Sequence, residues 1–133
     1  MNGRYSYIDI AKEDLLAAKE MLRAGLYNHA TRHCQQYVEK VFKECISKFS
    51  ATEIDLLLLN SHKLARLATH CSELKETCFS RTEMAFFREL TDYYFDTNYP
   101  GENYFKASEE EASNVYNQTL QFQSNYEGKL CNR

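Results

Sequence analysis

"AKEDLLAAKEMLRAGLYNHATRHCQQYVEKVFKECI" (Ala11–Ile46) decides the fold. Ile8, just before it, then Ala11, Leu15, Ala18 and Leu22 recur at steps of three and four, which places them on one side of a helix. Lys12, Glu13, Lys19 and Glu20 fall mostly off that stripe. Ser6 followed by Asp9 marks a weak helix start, and Gly25 a stop, because glycine tolerates the left-handed conformation at a helix end. A second helix is predicted from near Asn28 to about Phe49. Its stripe is Ala30, Cys34, Val38, Val41, Cys45 and Phe49, widened by Tyr37, Phe42 and Ile46. So short a connection predicts an antiparallel hairpin.

The rest of the chain extends this pattern. Residues 50–60 are expected to be an irregular or briefly helical link. Ser61 is expected to cap a third helix through Leu64, Leu67 and Ala68, ending near Cys71. Ser80 with Glu83 forms a capping-box pattern for a fourth helix, in which Met84, Phe87, Leu90 and Tyr94 share a face. Pro100 and Gly101 end that run. Ser108 with Glu111 opens a fifth helix along Ala112, Val115, Tyr116, Thr119, Phe122 and Tyr126. Five glycines and prolines in total are too few for a sandwich or barrel. The expectation is one all-α domain over residues 1–133, an up-and-down bundle of about five helices.

Composition narrows the function classes. A net charge of −3 excludes a nucleic-acid binder acting by bulk charge, although the first half of the chain leans basic and the second acidic. "MNGRYSYIDIAKEDLL" has no continuous apolar stretch of the kind a signal peptide needs, and "LLLL" (Leu56–Leu59) is far too short to span a bilayer. Cys34, Cys45, Cys71, Cys78 and Cys131 contain no CxxC pair. They read as reduced, mostly buried thiols, which suits a cytoplasmic location. His29 and His33 have helical zinc-ligand spacing with Cys34 adjacent, but no third ligand is evident, so no metal or other cofactor is expected.

Several pieces then share a family likeness. Ala11–Ile46, with its Gly-aromatic turn and "CQQYVEK", resembles the first helical hairpin of HEPN domains. "SHKLARLA" (Ser61–Ala68) is similar to the family's third-helix signature, and "LTDYYFDTNYPGE" (Leu90–Glu102) to its fourth-helix exit. The resemblance implies a prokaryotic helical homodimer, often partnered by a minimal nucleotidyltransferase in a toxin–antitoxin-like pair. Many members are metal-independent RNases using Arg-x4-6-His, a motif suited to attack by a ribose 2′-hydroxyl on phosphate. Here the last histidine is His70, three residues separate Arg66 from His70, and the family's Arg-Tyr-Pro arginine is replaced by Asn98. The only matching spacing, Arg23 to His29, straddles Gly25.

The resulting expectation is a non-catalytic HEPN-like module that docks a nucleotidyltransferase or holds a nucleotide. Rings around the Pro100 turn would stack a base, and Asp96 and Asn98 would meet its polar edge. Tyr93, Asp96, Asn98, Tyr99, Lys63 and Arg66 form the candidate ligand set, with Lys106 a further phosphate contact. Simple cover for the bundle end is the plainer reading of Tyr93, Tyr94, Tyr99 and Tyr104. The alternative function is an RNA-cleaving toxin using Arg66 with His62 or His70. His62 itself reads first as a residue of helix-start bonding. Gln35, Gln36 and Glu39 read either as solvated positions or as pairs across a dimer interface.

Overall fold

Three serines begin three of the helices by the same device. Ser6 pairs reciprocally with Asp9, Ser80 with Glu83 and Ser108 with Glu111, each side chain capping the other residue's backbone N–H. The structure, a computed structural model, describes residues 6–50, 57–97 and 106–132. Its helices are α1 (Tyr7–Arg23), α2 (Tyr27–Phe49), α3 (Leu64–Lys75), α4 (Arg81–Asp96) and α5 (Glu109–Phe122). α5 continues through a π turn, Gln123–Glu127, into a last helical turn, Gly128–Cys131. Leu57–Asn60 is a 3-10 turn, and no strand occurs among the described residues.

The hairpin turn closes as the glycine predicts. Gly25 has φ +79, its N–H donates to the Leu22 carbonyl, and the Leu26 N–H donates to that of Met21. This pair of bonds satisfies carbonyls that the helix end would otherwise leave open. Ser61 does not cap α3 as expected. Its hydroxyl accepts from the Lys63 N–H at 3.1 Å, and the helix begins later, at Leu64, whose N–H donates to Thr91 Oγ1 of α4 at 3.1 Å. A tertiary partner has replaced the local cap.

The bundle of five helices is built around α2, which packs against each of the other four. Phe42 of α2, Phe87 of α4 and Phe122 of α5 meet edge to face, with ring centroids 5.2 to 5.8 Å apart. α5 runs in the direction of α2. At one end the Ala107 N–H donates to Asn28 Oδ1 (2.7 Å), and at the other Lys48 Nζ donates to the Cys131 carbonyl (2.7 Å). α3 also runs along α2 in the same sense, because His62 lies beside Glu39 and Cys71 donates to the Phe42 carbonyl. Enclosed this way, α2 faces water only near its ends and through the half-buried Arg32, His33, Gln36 and Lys40. Its Gln35, Glu39 and Lys43 must find partners inside.

Candidate functional site

Those three residues stand one turn apart on α2 and form a bonded line. Glu39 Oε2 accepts from Lys43 Nζ at 3.1 Å, and Glu39 Oε1 accepts from Gln35 Nε2 at 3.0 Å. Gln35 Oε1 accepts from Gln36 Nε2 at 2.7 Å. Gln35 is fully buried and Glu39 is 3% exposed. They are therefore neither solvated nor left to pair across a dimer, since the chain satisfies them itself. The sequence pattern missed this because it treated α2 as having one buried stripe.

Into this line comes His62. Its Nδ1 lies 2.9 Å from Glu39 Oε1, and its ring stacks on Tyr94 at 5.3 Å with an interplanar angle of 25°. An ionised carboxylate only accepts, so Nδ1 carries the hydrogen, and in the neutral ring Nε2 then keeps a lone pair. The ring is fixed in orientation, yet the side chain is 44% exposed. Its side chain therefore bonds across to α2 and packs on Tyr94 of α4.

His62 also stands at the edge of an open groove of about 650 Å³. Lys63, just before α3, lines it with Arg66 and His70 of α3, Leu57 and Leu58 of the 3-10 turn, and Phe95 of α4. The volume falls within the range of small-molecule and cofactor sites. Its chemistry is two permanent cations, two imidazoles and an aromatic ring, an arrangement suited to an anion that carries a planar group. Phe95 was not anticipated. The available signal was a large ring lying off the Met84–Phe87–Leu90–Tyr94 stripe, and it is 44% exposed.

The predicted residues are thus partly gathered. Lys63 and Arg66 line the groove together with His62 and His70 of the alternative catalytic set. Tyr93 points elsewhere: it is buried, and its hydroxyl donates to Glu111 Oε2 of α5 at 3.3 Å. Burial, then the nearby Glu111 and Glu89 charges, push its phenol up to about 12. Asp96 is half-buried at the end of α4 and does not line the groove, nor does Lys106, which is exposed. Asn98, Tyr99 and Tyr104, like the Pro100 turn, lie outside the described residues.

A second polar cluster joins the hairpin. Asp14 of α1 meets His33 Nδ1 at 3.0 Å and Lys40 Nζ at 2.5 Å, both on α2. His33 is thereby committed to a carboxylate, whereas His29 lies against Arg32. Burial, followed by the Arg32 and His33 charges, lowers the His29 pKa. Among the described residues no group of three His, Cys, Asp or Glu side chains is arranged to hold a metal ion.

The described residues thus form an all-α bundle with a basic, ring-flanked groove beside α3, next to a buried Gln–Glu–Lys line. The HEPN domain model matches residues 5–124, nearly the full length, and the chain belongs to the HEPN domain family. No curated protein and no solved structure matches it. No helix among the described residues is long and apolar enough to cross a membrane.

Proposed function

We propose that this HEPN module binds a nucleotide or RNA segment in the α3 groove, with Lys63 and Arg66 on phosphate and Phe95 against a base. The observation that carries the reading is the convergence of both cations, His62 and His70 on one open hollow. Arg66 offers a planar fork for phosphate oxygens, Lys63 a point charge, and a stacked base adds about 1–3 kcal/mol. The homodimer, the nucleotidyltransferase partner and the toxin–antitoxin-like setting rest on family membership. Sedimentation at the monomer mass of 15.6 kDa would remove the dimer. The groove is tested by titrating isotope-labelled protein with ATP and with a short single-stranded RNA. The expected result is saturable shifts confined to the amides of residues 61–70 and Phe95. Saturable shifts elsewhere, or none, would remove the groove from the account.

A second reading, RNA cleavage, is favoured by one observation: Glu39 fixes the orientation of the His62 imidazole in the groove that Arg66 also lines. In that reaction His62 Nε2 takes the proton of a ribose 2′-hydroxyl as its oxygen attacks the adjacent phosphorus. Arg66 stabilises the phosphorane charge, and His70 in its protonated form gives a proton to the departing 5′-oxygen. Incubating RNA with EDTA present tests this. Cleavage that His62→Ala and Arg66→Ala each abolish supports it. Intact RNA, or cleavage unchanged in both variants, rules it out.

A further inference from the structure

A second hollow lies where α1 packs beside α5. Leu15 of α1 is buried, but Leu16, on the flank of the same helix, is 66% exposed. With Tyr116 and Leu120 of α5, the two leucines line an open space of about 350 Å³. α1 runs against α2 in the hairpin and α5 runs along α2, so this space is a channel between two antiparallel helices. Its walls match in length, residues 12–19 on one side and 116–123 on the other. It shares no lining residue with the α3 groove.

The charged part of the lining is of one sign. Lys12 and Lys19 stand exposed at the rim, and among the described residues neither is paired with a carboxylate. Glu13 and Glu20, next to them in sequence, are absent from the lining, because one residue turns a side chain by about 100° around the helix. Seven residues set Lys12 and Lys19 about 10 Å apart along one face, with Leu16 between them. A single anionic head group does not reach both. Two acids two turns apart on another helix do. A second copy of the chain fits poorly, since two α1 helices laid antiparallel at Leu16 set each Lys12 against a Lys19.

We propose that this channel docks an amphipathic helix of a partner protein, its apolar seam on Leu16 and Leu120 and its acids, seven residues apart, opposite Lys12 and Lys19. Apolar anchors in the channel supply the affinity, and the rim charges fix direction and register. The assignment is independent of what the α3 groove binds.

The test titrates the isotope-labelled full chain with a capped, alanine-rich peptide that carries leucines along one helical face and glutamates seven residues apart beside them. Two control peptides keep its length. One has lysine for each glutamate, and the other has the same composition with the leucines spread around the helix. The expected result is saturable shifts confined to the amides of residues 12–19 and 116–123, with both controls binding far more weakly. Lys12→Ala with Lys19→Ala should weaken binding by about tenfold, as the loss of two rim ion pairs predicts. Leu16→Asp should abolish it. Both variants change exposed side chains, so their melting temperatures should match that of the native chain. Equal binding of either control, saturable shifts elsewhere, or none, would overturn the proposal. So would a dimer that Leu16→Asp splits into monomers of 15.6 kDa, because a second copy would then occupy the channel.

Discussion

α2 carries two clusters made from the same parts, a carboxylate held by a histidine Nδ1 and a lysine. Asp14, His33 and Lys40 form one; Glu39, His62 and Lys43 form the other. What differs is the surroundings. The Asp14 cluster joins two helices of one hairpin, and its histidine and lysine side chains are 33% and 19% exposed. The Glu39 cluster lies in the interior, with Glu39 and Lys43 side chains at 4% and 7%, and only its histidine reaches the solvent, beside Arg66 and Lys63. Identical chemistry acts as a clip in one place and as the support of an open groove in the other. The neighbours determine the role.

The comparison can be broken most severely at Glu39. Glu39→Ala leaves Lys43 buried without its anion, and urea unfolding should show a loss of about 3–5 kcal/mol. Asp14→Ala strands no charge completely out of water, so the same measurement should show a smaller loss, about 1–2 kcal/mol. Equal losses would mean that the two clusters do not differ in burial as described. Double-mutant cycles sharpen the contrast, with the Glu39–His62 coupling expected to exceed the Asp14–His33 coupling. At the groove itself, Lys63→Ala and Arg66→Ala should each change stability by less than about 0.5 kcal/mol, because both side chains are exposed. Each should lower the salt dependence of single-strand binding, by about 0.7 in the log–log slope for every phosphate that is no longer neutralised.

The bundle was legible because it is written in local patterns. The stripes, Gly25 and the Ser80 and Ser108 boxes each act within a few residues, and each formed where the spacing placed it. The start of α3 was not legible, since Leu64 is capped by Thr91 from another helix. At the site, Lys63 and Arg66 were legible as candidate phosphate contacts, but their spacing did not say what they line. Glu39 supporting His62 was not, because that bond joins residues on different elements. Phe95 was passed over because it breaks the apolar stripe, and its position off that stripe is what brings it to the groove.

The claim on which the account turns is that α3 presents a specific anion-binding groove and not merely scattered positive charge. Lys12 and Lys19 line a separate hollow between α1 and α5, so removing them changes the net charge by the same amount at a different place. The direct measurement is the affinity of a labelled single-stranded RNA for the native chain, for Lys63→Ala with Arg66→Ala, and for Lys12→Ala with Lys19→Ala. The account predicts saturable binding that the first pair weakens by at least about tenfold and the second leaves within about twofold. Equal weakening by both pairs, or no saturable binding by the native chain, would contradict it.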